Sequence, residues 1–218
     1  MKACLFDLDG VLVDTAKYHY AAWKRLASGL GFCFSESDNE RMKGVSRMNS
    51  LEILLEVGGF SNLSMEEKWA FATKKNSWYV EYVSQMTPNE LLPGVLDFLH
   101  EVKAADVKIA LVSSSKNSAI VLQRTGISAL FDAIIDGNKI THAKPHPEVF
   151  LLGAEETGVQ PSECVVFEDA AVGIEAAINA GMKSVGVGRP DTLYRSNIVI
   201  PNFLNTTWDM IQEKLCAN

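Results

Sequence analysis

Near the N-terminus the apolar run Ala3–Phe6 meets Asp7-Leu8-Asp9-Gly10. On an extended backbone, residues two apart point the same way, so both carboxylates project together beyond the end of a strand. Carboxylates that close repel unless a cation neutralises them or one keeps a proton. Gly10 permits the turn that must follow. Alone, this segment is as readily an acidic strand-to-loop turn as a reactive centre. Three further segments change the balance. Ser113-Ser114-Ser115-Lys116-Asn117 closes the apolar run ending at Val112, and hydroxyls and a cation at a strand end suit a phosphate beside the amides of a helix start. Ala143-Lys144-Pro145 precedes a helical pattern, where the rigid proline sets the lysine's approach; taken alone, this is an ordinary exposed lysine in a first helical turn. Val165–Phe167 runs into Glu168-Asp169, a second acidic pair at a strand end. In this order, on successive strands, the four segments point to phosphoryl chemistry.

The elements that must hold these residues alternate. Strand character is expected at Ala3–Phe6, Val107–Val112, Phe131–Ile135, Val165–Phe167, Ser184–Val187 and Ile198–Ile200. The first four are near-continuously apolar, as in strands buried on both faces. Helical patterns at Val95–Ala104, Ser118–Thr125, Glu148–Glu156 and Gly173–Ala180 fall between them. Such alternation predicts an α/β fold, a doubly wound parallel sheet of Rossmann type with right-handed crossovers. From Thr15 to Thr87 no strand is expected, and helices are predicted at Ala16–Leu30, Arg47–Val57 and Met65–Ser84. Trp69, Trp78, Tyr79 and Tyr82 in the last are read as packing residues on one side. The expected organisation is a core domain from residues 1–14 and 88–218, with an all-helical cap domain, a candidate lid, inserted at 15–87.

Composition excludes several classes. Of 218 residues, 47% are hydrophobic and 22% charged, which fits neither disorder nor a membrane protein. No apolar run approaches the roughly 18 residues that cross a bilayer. Asp7 interrupts any signal-peptide reading of the N-terminus, so a cytoplasmic, soluble protein without membrane partners is expected. Twenty basic against 27 acidic residues give a net charge of −7, which argues against nucleic-acid binding but not against a small phosphorylated substrate. Cys4, Cys33, Cys164 and Cys216 show neither a disulfide nor a zinc spacing.

The four segments resemble the signature motifs of the haloacid dehalogenase superfamily, and the resemblance spans almost the whole chain. Within it, Asp14-Thr15-Ala16-Lys17-Tyr18-His19, Lys43-Gly44-Val45-Ser46-Arg47 and Gly186-Val187-Gly188-Arg189-Pro190 are similar to the phosphomutases of β-D-glucose 1-phosphate. The resemblance implies interconversion of β-D-glucose 1-phosphate and glucose 6-phosphate through β-D-glucose 1,6-bisphosphate. It makes Asp7 the nucleophile that becomes an aspartyl phosphate and Asp9 the general acid/base. It implies one magnesium ion per chain, held by Asp7, the Asp9 backbone carbonyl and Asp169, with Glu168 as a ligand or a support. Lys144 and Ser113 would stabilise charge on the transferring group.

The resemblance also implies substrate-binding residues in the helical segment. Thr15, His19 and Trp23 fall at i, i+4 and i+8, along one side of a helix. His19 alone reads as a structural histidine; the match to the family's lid helix makes it a link between substrate binding and closure near Asp9. Lys43, Gly44, Val45, Ser46, Arg47 and Lys75 join it, Arg47 holding the second, non-transferring phosphate with a bidentate fork. Ser114, Ser115, Lys116 and Asn117 would hold that phosphate from the core. Ala170 stands where the family often has serine, and Thr141-His142 where smaller residues are common. The runner-up is a sugar-phosphate phosphatase of the same superfamily. A dehalogenase has no need for Asp9 or the Glu168-Asp169 pair, and a phospho-receiver module none for the helical insertion. A small-molecule sugar phosphate is the expected partner, and a monomer the expected state.

Overall fold

The computed structural model describes residues 1–42 and 45–217. Lys43 and Gly44, both expected to bind substrate, lie outside the described residues. The chain divides into two compact units, Met1–Asp14 with Met86–Asn218, and Thr15–Gln85.

The first unit is a six-stranded, all-parallel sheet. Its strands are β1 (Ala3–Phe6), β2 (Lys108–Val112), β3 (Ala133–Ile135), β4 (Cys164–Glu168), β5 (Lys183–Val187) and β6 (Ile198–Ile200), in the order β3-β2-β1-β4-β5-β6. Because the order reverses at β1, the connections leave in opposite directions there and open a crevice beyond the carboxyl ends of the strands. Helices α5 (Val95–Ala104), α6 (Ser118–Thr125), α7 (Glu148–Thr157), α8 (Ala171–Asn179) and α9 (Trp208–Ala217) complete this unit.

Strand periodicity divides the core between the two faces. Leu5, Val112, Ile135 and Val166 pack with Val149 and Phe150 of α7 and Ala176 and Ala177 of α8. On the other face Phe6 stacks on Phe167 at 4.5 Å, and Phe98 of α5 and Phe203 close the aromatic group. Phe6 is in register with Leu111 and with Phe167. The next residue on each of the three central strands is therefore Asp7, Val112 or Glu168, level with one another at the crevice. The sheet delivers the acidic residues there by register alone.

Two strands start later than expected. β2 begins at Lys108, and β3 at Ala133, because a 3-10 turn at Ser128–Leu130 ends on Phe131. The helix α9 has no counterpart among the expected elements; its first turn is tied back by the Trp208 amide, which donates to Glu101 Oε1 at 3.0 Å.

The second unit is helical: α1 (Ala16–Gly29), α2 (Glu36–Glu40), α3 (Arg47–Val57) and α4 (Met65–Val83). Trp23, Leu26 and Ala27 of α1 pack against Leu51, Leu54 and Leu55 of α3 and Ala72 of α4. Two capping boxes set helix starts, Ser35 with Asp38 and Ser64 with Glu67. The first begins α2, which apolar periodicity does not reveal. The buried stripe of α4 is Ala72, Lys75, Tyr79 and Val83. Trp69 lies off that stripe and is 56% exposed, so it is not a packing residue; Trp78 is half-buried at the edge of the cluster. No helix among the described residues is long and apolar enough to cross a membrane.

Candidate active site

Asp7 follows β1 directly, and its amide donates to the Phe167 carbonyl at 3.0 Å, continuing the ladder one residue past the strand. Its Oδ1 lies 2.6 Å from Lys144 Nζ, whose ammonium is also 2.6 Å from Glu168 Oε1 and 3.4 Å from the Val112 carbonyl. Lys144 comes from the segment before α7, across a cis Lys144–Pro145 peptide. The lysine thus touches the ends of β1, β2 and β4 together. Its side chain is 8% exposed and that of Glu168 is 2% exposed, so both ion pairs are shielded from water.

Glu168 has both oxygens occupied. Oε1 accepts from Lys144, and Oε2 accepts from the Ala170 amide at 2.9 Å. These contacts orient Lys144 and the turn into α8. Ala170, at the N-cap of α8, has no side chain to cap the helix, and the Glu168 carboxylate meets the amide of that turn instead. The backbone makes room for it, because a Cβ on Gly173 of α8 would overlap the Glu168 carboxylate. Gly10, at φ +78°, serves twice, since a Cβ there would also overlap Oδ2 of Asp169. The sequence marks Gly10 only as a turn residue and does not mark Gly173 at all; a glycine within a helix carries no signal until Glu168 is seen beside it.

One ammonium faces an excess of negative charge. Burial, then Glu168 and Asp9, push Asp7 up to about 7 against the pull of Lys144. Asp169 keeps a solvent-facing edge, yet loss of hydration, then Glu168 and Asp7, raise it to about 8. Lys144 is shifted upward, its burial outweighed by Asp7 and Glu168. A hard divalent cation suits Asp7, Asp9 and Asp169: the donors are oxygens, the charge is in excess, and glycine leaves Asp169 space. Among the described residues one further group offers metal ligands, His142, His146 and Glu148, with ligand atoms within 4.8 Å of one another.

At the end of β2, Ser113 is buried and its Oγ accepts the Ser115 amide at 3.1 Å; Ser115 Oγ accepts the Asn117 amide at 3.3 Å. These contacts fold the loop into the start of α6, with Asn117 at its N-terminal boundary. Ser114 and Lys116 are exposed on it, and Ser115 and Asn117 half-buried.

Within the helical unit, His19, Trp23 and Lys75 come together. Lys75 is 2% exposed, with Nζ 2.8 Å from His19 Nδ1, 4.6 Å from the Trp23 ring and 4.9 Å from that of Tyr79. His19 also stacks on Tyr79 at 4.1 Å. Burial, then Lys75 and Arg47, hold the imidazole well below its usual range, so it is neutral and its Nδ1 accepts from the ammonium. Thr15 is buried at the N-cap of α1. Arg47 opens α3 and is half-buried; Ser46 caps that helix by accepting the Asn49 amide at 3.3 Å, and Val45 is exposed.

The family model for haloacid dehalogenase-like hydrolases matches residues 1–181, and the chain belongs to that family. It is 40% identical over 215 residues to β-phosphoglucomutase of Bacillus subtilis strain 168, covering 98% of this chain and 95% of that protein. A crystal structure of β-phosphoglucomutase from Clostridium difficile superposes with a TM-score of 0.93 at 44% identity, covering 100% of this chain and 98% of the other. A phosphorylated carbohydrates phosphatase of Thermotoga maritima is 32% identical over 187 residues, covering 85% of this chain and 84% of its own. Membership of this family makes the chain an enzyme of phosphoryl transfer.

Two expectations follow. Asp7 and Asp169 sit near 7 and 8 in the folded chain against 3.8 unfolded. Between those values the folded state binds more protons, so stability falls as pH rises, until a cation replaces the protons. With divalent ions chelated, Tm falls from about pH 6 to about pH 8, and saturating magnesium raises it more at the higher pH. An equal magnesium increment at both contradicts the assignment. Second, Gly173→Ala, which at an ordinary helix position gains about 0.5–1 kcal/mol, displaces Glu168 here. Phosphoryl-transfer turnover falls by about 10²-fold, the usual effect of an ångström of misplacement, with the circular dichroism spectrum retained. Unchanged turnover removes Glu168 from its positioning role.

Proposed function

We propose that the chain is a β-phosphoglucomutase, interconverting β-D-glucose 1-phosphate and glucose 6-phosphate through an aspartyl-phosphate enzyme and β-D-glucose 1,6-bisphosphate. The observation that carries the phosphoryl chemistry is the Asp7 carboxylate, with Oδ1 fixed on Lys144 at a sheet crevice. That contact holds the carboxylate in place at the crevice. Full-length similarity to two β-phosphoglucomutases, at 40% and 44% identity, favours the mutase over the phosphatase.

In this reading Asp7 takes the phosphoryl group, splitting one transfer into two. Asp9 protonates the leaving oxygen and deprotonates the incoming sugar hydroxyl. Lys144 places fixed positive charge beside the transferring group, and Ser113 donates its hydroxyl proton to a phosphoryl oxygen. Asp7, the Asp9 carbonyl and Asp169 would hold magnesium, which when bound neutralises phosphoryl oxygens. Ser114, Ser115, Lys116 and Asn117 take the non-reacting phosphate on the core unit. Arg47, His19 and Lys75 give the helical unit its cationic and hydrogen-bonding groups for the same substrate, with Thr15, Trp23, Val45 and Ser46 beside them. Lys43 and Gly44 are proposed on the sequence alone.

Phosphorus NMR of the purified protein decides between the readings. With magnesium, β-D-glucose 1-phosphate and a trace of the bisphosphate, glucose 6-phosphate accumulates and inorganic phosphate stays at the level of slow leakage. Inorganic phosphate as the sole product replaces the mutase by the phosphatase.

A further inference from the structure

We propose that His142, His146 and Glu148 form a second metal site, which takes a zinc-class transition ion and staples the loop that carries Lys144. One ring nitrogen from each histidine and one Glu148 oxygen already lie within 4.8 Å of one another. The chain turns back between them, with the His146 amide donating to the Ala143 carbonyl at 3.0 Å. This brings the two rings to 4.5 Å with 31° between their planes.

Glu148 is the prearranged leg of the chelate. Its Oε1 accepts the Thr141 amide at 3.0 Å, and its Oε2 accepts the His142 amide at 2.6 Å. Amides that orient a carboxylate in this way serve as the supporting contacts of a metal ligand. His142 Nδ1 lies 3.0 Å from Glu148 Oε2. With metal bonds of about 2.0–2.2 Å, ligand atoms on a tetrahedral ion sit about 3.4 Å apart. One pair is already near that spacing. His146 Nδ1, which accepts the Glu148 amide at a long 3.3 Å, needs a side-chain rotation to complete the set. His142 is 62% exposed in its side chain, which leaves a fourth position for water.

The donor chemistry separates this site from the carboxylates at Asp7. Two imidazoles and one carboxylate suit zinc, cobalt, nickel or copper, whereas magnesium prefers oxygen donors. The ligands bracket Lys144 in sequence, His142 before it and His146 and Glu148 after it. An ion held by all three closes the chain around the segment whose lysine bridges Asp7 and Glu168. The site is independent of which sugar phosphate the enzyme takes.

The test is cobalt titration of the magnesium-saturated protein, with Cys33→Ser and Cys216→Ser removing the exposed thiols. Magnesium keeps cobalt off the carboxylate pocket. One equivalent is expected to give the intense visible absorption of a four-coordinate site, and zinc to displace it. His142→Ala and His146→Ala each weaken binding at least about tenfold, since even an outer-sphere partner of a metal ligand contributes that much. In the parent, one equivalent of zinc slows amide exchange across residues 141–148, and in His146→Ala it does not. Weak six-coordinate absorption alone, affinity unchanged in both variants, or exchange unaffected by zinc would overturn the proposal.

Discussion

The Lys144 ammonium, 2.6 Å from both Asp7 and Glu168, is the interaction on which the core unit's chemistry depends. Four carboxylates, Asp7, Asp9, Glu168 and Asp169, gather at the ends of two neighbouring strands, and water reaches little of Asp7, Lys144 and Glu168. Burial first, and then the neighbouring carboxylates that one buried cation does not compensate, raise Asp7 and Asp169 to about 7 and 8. The imbalance is useful. It makes the site a receptor for a divalent cation, and it keeps Lys144 charged at any physiological pH. Removing one partner of such a buried pair is costly, typically about 3–5 kcal/mol, because the other charge stays behind.

The sheet makes this arrangement reproducible. Parallel register sets Asp7, Val112 and Glu168 level, and the stacked Phe6 and Phe167 lock the two strands immediately behind the acids. Packing on one side of a residue boundary and charge on the other leave little freedom between them. The helical unit solves a related problem differently. It sets the buried Lys75 ammonium against the faces of Trp23 and Tyr79 and a neutral His19 nitrogen. Contacts of this kind orient an ammonium without cancelling its charge, which suits a phosphorylated ligand.

Legibility in the sequence follows the range of the interactions. Short apolar runs mark all six strands, with ends misplaced by one or two residues at β2, β3, β4 and β5. Asp7 and Asp9 are legible because they stand two residues apart in the segment that directly follows an apolar strand. The Lys144 bridge is not: its partners lie 137 and 24 residues away, and only the order of motifs hints at it. Glu168 is expected as a metal ligand or a support, and its contacts with Lys144 and the Ala170 amide depend on the space that Gly173 leaves. Trp69 misleads because an aromatic at a helix edge carries the same letter as one in the stripe. Thr141-His142 stands out only as a departure from the family pattern, since the nearness of His142 to His146 and Glu148 requires the turn between them.

The most direct test removes one arm of the bridge while keeping its shape. Glu168→Gln retains the acceptor for the Ala170 amide but loses the charge that holds Lys144. The quantity to measure is the rate at which acetyl phosphate, with magnesium, phosphorylates Asp7. A charge-assisted contact contributes about 1.5–3 kcal/mol, so the rate should fall about 10- to 150-fold, read at a temperature where the variant, destabilised by losing one buried partner, is still folded. Phosphorylation at the parent rate in a folded Glu168→Gln protein would contradict the account, because Lys144 would then need no second carboxylate to act on Asp7.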